Sequence, residues 1–462
     1  MTSVSGRDLL PTSLAESIER QTGGVISHVK SRAGGGASRQ GAEVTVTLPD
    51  GTQERGYLGY DTRLGDPTRP PIFEREVAIL DALSGPLAER GVNAPRLIAA
   101  EPSHFAILTA FTPGTDKWAS IPDEDARIAG VRDFIGQLAA LHRIDATQTP
   151  LAGFGDPRQP VSQRIRETIA SLRAVNLESG PDPILILALD WLEENVPADS
   201  GPPVIVHGDA GPGNFLVEGD RCTALLDWEL VHYGDPVEDV AQIWVRMLFN
   251  PFVPMREVLD AYEAASGRAV DIARLLYHRL YFQISFTVPG QASELDPNSP
   301  PAVLGTRMLF STAHLRIIVQ ELSELTGIAL APVDLPDVPP GPTDRSFAIA
   351  LDDIRDVIVP RAADQQAAAK AKSLARMIKF WRQRARYGAA FDTAEIAEVS
   401  AALGASFISV KDARRALGLA VAEKRIDRAS ALQLCHARMT RETKLMGDAM
   451  GWYKDTYFPP LD

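Results

Sequence analysis

The chain has 462 residues, 45% of them hydrophobic and 23% charged, and carries a formal net charge of −13. Such a length exceeds one typical core, so about two to four compact units are expected. The acidic balance, with no concentrated Lys/Arg stripe to offset it, argues against nucleic acid as a partner. Cys222 and Cys435 lie far apart and lack metal-ligand spacing, which fits packed thiols in a reducing compartment. No stretch reaches the length of a membrane span, and Met1 to Thr22 lacks a basic start followed by an apolar block. The expectation is a cytoplasmic protein without a membrane partner.

In chain order, residues 1–22 read as a leading helix, with Leu9, Leu10, Leu14 and Ile18 at helical spacing and Gly23-Gly24 as the stop. Val25 to Val29 and Glu43 to Leu48 read as strands joined by a loop, Ala33-Gly34-Gly35-Gly36-Ala37-Ser38. Glycines let a backbone approach a phosphate closely and turn its N–H groups toward it, although a mobile hairpin tip is the commoner explanation of a Gly triplet. Gln53 to Tyr60 is the next strand, and Pro71 to Leu83 is an amphipathic helix that includes Glu76. Pro95 to Ile98 and His104 to Ala110 are two further strands. Asp123 to Arg143 turns helical and ends at His142, which reads as a structural histidine; Val161 to Leu172 and Pro183 to Asn195 follow as helices.

The most informative stretch is His207-Gly208-Asp209-Ala210-Gly211-Pro212-Gly213-Asn214, followed by Leu225-Leu226-Asp227-Trp228-Glu229. Apolar runs at Val204 to Val206, Phe215 to Val217 and Thr223 to Leu226 make it a hairpin-like unit with acids and an amide at its strand ends. Phosphoryl transfer needs that set. One carboxylate accepts the proton of the attacking hydroxyl, while an amide and a second carboxylate hold the Mg²⁺ that bridges phosphate oxygens. Asp209 is placed for the first role, Asn214 and Asp227 for the second.

These motifs resemble the small-molecule kinases of the aminoglycoside phosphotransferase and choline kinase family, and Gly234-Asp235-Pro236 with Asp239 extends the likeness. The resemblance covers roughly residues 20 to 330. It implies an α+β, bilobal protein-kinase-like fold: a small antiparallel-sheet lobe over 23–113 and a large helical lobe over 114–330. It implies ATP or GTP as phosphoryl donor and Mg²⁺ as cofactor, with Gly34, Gly35, Gly36 and Ser38 covering the phosphates. Thr109 to Phe111 would offer backbone groups to a purine edge. His207, Asp235 and Asp239 would brace the catalytic loop, and Glu229 would support the metal or meet the substrate. Glu76 matches the family's helix glutamate, but its expected Lys or Arg partner is missing from the end of the strand Gln53 to Tyr60; Arg55 lies early and Arg63 late. The context of Asp227-Trp228-Glu229 looks closest to the branch associated with acyl-CoA dehydrogenases. The implied acceptor is therefore a hydroxylated catabolic intermediate, such as a hydroxyacyl thioester or an alcohol.

After Asp239 the pattern is helical: Val240 to Phe249, Pro254 to Ser266, Asp271 to Phe286 and Pro301 to Leu325. Residues 331–344 are a Pro-rich linker, and 345–462 read as a C-terminal all-α domain with N-caps at Thr393 and Ser409. Its helices are where a homodimer or partner-protein contact would be expected. Two rival readings follow: a nucleotide-binding pseudokinase that has lost the strand cation, and a scaffold acting through the C-terminal helices.

Overall fold

The computed structural model describes residues 6–32, 39–61, 64, 66, 68–250, 252–295, 304–362 and 365–461. These residues fall into two compact units, Met1–Val161 with Asp199–Leu275 and Pro460–Asp462, and Ser162–Ala198 with Leu276–Pro459.

The first unit begins with α1 (Thr12–Thr22), which starts after Pro11 and stops at Gly23 in the left-handed region. Five antiparallel strands follow: β1 (Val25–Arg32), β2 (Gln40–Thr47), β3 (Gln53–Tyr60), β4 (Leu97–Glu101) and β5 (Ala106–Ala110), in the order β1-β2-β3-β5-β4. Ala42, Val44 and Val46 alternate inward on β2, and with Leu58 and Leu108 they pack against Leu14, Ala15 and Ile18 of α1. The period-two pattern thus meets a helical stripe, which is how a one-sided sheet buries its apolar face. Between β3 and β4 runs α2 (Arg69–Ser84), whose buried residues include Phe73, Glu76, Ile79 and Leu80.

The remainder of this unit is mostly helical. Asp123 caps α3 (Glu124–Leu141) by accepting from the N–H groups of Asp125 and Ala126. Two short antiparallel pairs flank the motif loop: β6 (Val204–Val206) with β9 (His232–Gly234), and β7 (Phe215–Glu218) with β8 (Arg221–Leu225). Phe134 of α3 stacks on Phe215 of β7 at 4.3 Å between ring centroids, fixing the hairpin to the helix. Beyond β9 come α6 (Val237–Met247) and α7 (Met255–Ser266), numbered after the second unit's α4 (Val161–Ser179) and α5 (Pro183–Glu194).

The second unit is all helical apart from its connections, with α4, α5, most of α8 (Ile272–Leu295), α9 (Leu304–Thr326) and a set of C-terminal helices. Residues 331–341 carry no regular secondary structure, but they run inside this unit and do not divide it. A buried ion pair, Arg438 with Asp182 at 2.8 Å, links the C-terminal helix Arg428–Met450 to the residue that caps α5. The expected break before Thr393 is absent. Gln365–Leu403 is one helix, in which the Thr393 hydroxyl donates to the Ala389 carbonyl at 2.9 Å and Arg384 pairs with Asp392 across the position. A hydroxyl satisfied one turn back cannot cap a new helix. Ser409 does cap its helix, accepting from the Asp412 N–H. Along Lys370 to Arg386, Ile378 is buried while Leu374 and Trp381 stay exposed, so only part of this apolar face is covered.

Candidate active site

All the side chains of the motif set lie in the first unit, on the loop between β6 and β7, the turn after β8, and one face of α6. Along α6, Asp239, Gln242 and Arg246 recur at intervals of three and four residues, which places them on one side of a helix. Each holds the loop His207–Asn214. The buried Asp239 carboxylate accepts from the His207 N–H at 2.8 Å and the Gly208 N–H at 3.0 Å, and His142 Nε2 lies 2.9 Å from it. His142 Nδ1 meets the Tyr262 hydroxyl at 2.7 Å, so His142 is part of the brace. Gln242 accepts from the Ala210 N–H at 3.1 Å. Gly208 sits at φ 87°, and a Cβ there would fall 2.1 Å from the Leu230 carbonyl oxygen, so no other residue fits. A buried carboxylate bonded to three donors is pulled both ways: burial pushes the Asp239 pKa up, and His142, His207 and the amides bring it below the ordinary value.

Asp209 itself is fixed at both carboxylate oxygens. Asn214 Nδ2 donates to Oδ2 at 2.7 Å and also to the Asp209 carbonyl at 2.9 Å, while Arg246 donates to Oδ1 at 2.6 Å. Asn214 is in turn tied to the hairpin, because its carbonyl accepts from Leu226 N–H at 2.8 Å. Asp227 follows Leu226 in the left-handed region, at φ 64° and ψ 65°, a conformation Asp tolerates better than most residues. The residue is open to solvent, but its carboxyl is crowded. That crowding, then the charges of Glu229, Asp209 and Glu76, push its pKa up to about 7, with Arg39 acting against them.

Arg39 is the residue that sequence reasoning missed. It stands immediately before β2 and makes a bidentate pair with Glu76 of α2, at 2.8 and 2.5 Å. Burial works against its charge, but Glu76 first, then Glu229 and Asp227, raise its pKa above the ordinary arginine value. The basic partner expected at the end of β3 is thus supplied from the neighbouring strand. Gly59 of β3 faces it: a Cβ there would make ordinary contact with Arg39 Cδ at 3.7 Å. The signal lay in the register, since Gly41↔Gly59 and Gln40↔Tyr60 put Arg39 beside the end of β3. Arg55 is engaged elsewhere, with its guanidinium 4.3 Å from the centre of the Phe111 ring. Arg63 lies outside the described residues, as do Gly34, Gly35, Gly36 and Ser38.

Other expectations are redistributed. Ala110 N–H is bonded to the Arg96 carbonyl at 2.8 Å and Phe111 N–H to the Arg55 carbonyl at 2.9 Å. Thr109 is paired within the sheet to Tyr57 and Leu97. The amides of Thr112 and Gly114, just beyond Phe111, are used by no described hydrogen bond. Asp235 accepts from Val237 N–H at 2.9 Å and pairs with Arg274, securing the start of α6. Glu229 lies 3.8 Å from Arg69, which is bound to Asp61 at 2.7 Å. Trp228 and Tyr233 are buried packing residues, Trp228 lying against the His207 ring at 4.5 Å.

Comparison with known proteins agrees with this geometry. A model of the phosphotransferase enzyme family matches residues 61–278. Those residues are a phosphotransferase-family domain. The crystal structure of a candidate aminoglycoside phosphotransferase from Ralstonia eutropha superposes with a TM-score of 0.50 at 19% identity, covering 69% of this chain and 98% of that one, and shows the shared kinase-like fold. In sequence, the chain is 29% identical over 179 residues to acyl-CoA dehydrogenase family member 10 of Mus musculus, covering 37% of this chain and 16% of the relative. It is 33% identical over 110 residues to acyl-CoA dehydrogenase family member 11 of Gallus gallus, covering 23% and 14%. The chain thus spans about a sixth or less of these relatives' length. The phosphotransferase domain holds every described member of the motif set except the cation before β2: Glu76, Asp209, Asn214 and Asp227 lie inside the matched range, and Arg39 precedes it. Among the described residues, no helix is long and apolar enough to cross a membrane.

Proposed function

We propose that the chain is a Mg²⁺-dependent small-molecule kinase that moves the γ-phosphoryl of ATP or GTP to an acceptor hydroxyl. One observation carries the reading: Asp209, Asn214 and Asp227 are held together beside an intact Arg39–Glu76 pair. Because Glu76 has its cation, the feature that favoured a pseudokinase is gone.

A divalent cation suits the site chemically. Burial and the charges of Glu229, Asp209 and Glu76 raise the cost of ionising Asp227, and Arg39 acts against them there. Among the described residues no three His, Cys, Asp or Glu side chains converge on one point. That fits Mg²⁺, which is typically held by one or two protein oxygens and completed by phosphate and water. Asn214 and Asp227 would hold it. When bound, it supplies charge neutralisation at the phosphate oxygens.

The chain's own residues do the rest. Asp209 orients the acceptor hydroxyl and takes its proton. Arg39, steadied by Glu76, pairs with the non-transferred phosphates. Thr112 and Gly114 offer amides to the base. Most of the acceleration in such a site comes from positioning and fixed charge. The likeness to acyl-CoA dehydrogenase family members favours a hydroxylated catabolic acceptor, such as a hydroxyacyl thioester, over an antibiotic.

The test is nucleotide binding in Asp227→Ala. Wild-type protein should bind ATP or GTP more tightly with Mg²⁺ than with a chelator, and the variant should lose that difference while keeping its fold. Equal Mg²⁺ dependence in the variant would remove Asp227 from the metal site.

A partner-binding role of the second unit has separate support. Ile349, Val357, Ile358, Leu374 and Trp381 are exposed large apolar side chains on its C-terminal helices.

A further inference from the structure

The loop between Asp209 and Asn214 reads Ala210-Gly211-Pro212-Gly213 and contains no charge of its own. A cation reaches it from outside. Arg246, in the last turn of α6, extends along the loop, and its guanidinium fills the space that side chains at Gly211 and Gly213 would take. A Cβ at Gly211 would lie 2.9 Å from Arg246 Cδ, and one at Gly213 would lie 3.3 Å from a terminal nitrogen. The group is anchored at several points. Nε and one terminal nitrogen donate to the Pro212 carbonyl at 3.3 and 3.0 Å, and the same terminal nitrogen lies 3.3 Å from Asn214 Oδ1. The other terminal nitrogen donates to Asp209 Oδ1 at 2.6 Å. A guanidinium has five N–H groups. The bonds described leave one unused, on the nitrogen bound to Asp209. The side chain is 22% exposed, so the guanidinium is not sealed off from solvent.

A bracing arginine needs no such address. Asp239 and Gln242 already hold the loop's amides from the same helix face. Arg246 instead binds the carboxylate that would meet the acceptor hydroxyl and the amide that would hold the metal.

We propose that Arg246 is a catalytic cation supplied in cis, which contacts the γ-phosphoryl group as it passes from nucleotide to acceptor. This rests on the kinase reading above and adds to it the group that meets the moving charge. In the step, the acceptor oxygen forms a bond to the γ-phosphorus, and the bond from that phosphorus to the β–γ bridging oxygen breaks. The bridging oxygen leaves with the electron pair on the nucleoside diphosphate, and the hydroxyl proton goes to Asp209. In the loose transition state charge is spread over the equatorial oxygens of the moving group and builds on the leaving oxygen, and a fixed guanidinium beside Asp209 stabilises that arrangement.

The proposal separates ground-state from transition-state binding. Affinity for ADP·Mg²⁺ is measured with and without aluminium fluoride, which mimics the planar phosphoryl group, in wild type, Arg246→Ala and Arg246→Gln. Arg246→Gln retains hydrogen-bonding capacity without charge, and melting temperatures confirm that each variant is folded. Wild type should bind ADP·Mg²⁺ substantially tighter with fluoride. Both variants should keep ADP·Mg²⁺ affinity within a few-fold and lose about 10²–10³-fold of the fluoride-dependent gain. A purely bracing arginine would weaken both complexes alike. Retention of the gain in the variants, equal weakening of both complexes, or no gain in wild type would each overturn the proposal while leaving the kinase reading in place. Absence of ADP·Mg²⁺ binding in wild type would instead remove the kinase reading, and this inference with it.

Discussion

Asp209→Asn is expected to reduce phosphoryl transfer by about 10²–10⁴-fold while leaving nucleotide·Mg²⁺ affinity within a few-fold of wild type. Asn preserves the shape of the side chain and its one amide oxygen can accept from either Arg246 or Asn214 Nδ2, the two donors that now hold the carboxylate, though not from both. What it loses is the capacity to take a proton. Turnover can be followed before the acceptor is known as hydrolysis of the nucleotide, with water in place of the alcohol. Wild-type rates in Asp209→Asn would show that another group receives the proton. Asp209→Ala would be a less clean test, since it leaves the Arg246 charge without its closest partner.

Arg39→Ala should have the second-largest effect, and it should appear in two readouts. Glu76 is only 7% exposed, so removing Arg39 strands a buried carboxylate. Breaking such a pair on one side costs about 3–5 kcal/mol, visible as a lower midpoint in denaturant. Turnover should fall as well, because the cation that steadies the phosphates is gone. Arg39→Ala combined with Glu76→Gln separates the two effects, restoring stability without restoring activity. A relocation variant is more telling still. Gly59 faces Arg39, so Gly59→Lys in the Arg39→Ala background puts a cation back at the end of β3, and partial recovery of turnover is expected. Full activity in Arg39→Ala would return the missing strand cation to the centre of the problem and favour the pseudokinase.

The parts of the site that were legible in the sequence are those carried by one continuous run of chain. Asp209, Asn214 and Asp227 belong to a single loop and the hairpin it feeds, so their spacing survives as a motif. Arg39 was hidden because its contact is made across a strand register. A search confined to β3 finds only Tyr57, Leu58, Gly59 and Tyr60. Arg246 had a readable signal, the spacing of Asp239, Gln242 and Arg246 on one helix face, but periodicity does not say which loop that face meets. The amides of Ala110 and Phe111 are taken up by bonds to the Arg96 and Arg55 carbonyls, which the sequence of β5 does not show. Thr393 has the composition of a helix cap, yet tertiary packing carries the helix through it. The Pro-rich stretch over 331–341 looked like a domain border and is an internal connection of the second unit.

The most direct test of the kinase assignment is the melting temperature of the protein with ATP or GTP, each with and without Mg²⁺. A ligand that binds only the folded state stabilises it, by about 2.7 kcal/mol at a hundredfold excess over its dissociation constant. The expected result is a rise with one or both nucleotides that requires Mg²⁺ and disappears on adding chelator. A well-folded protein whose melting temperature is unmoved by millimolar nucleotide and Mg²⁺ would contradict it, and would shift attention to the exposed apolar face of the C-terminal helices.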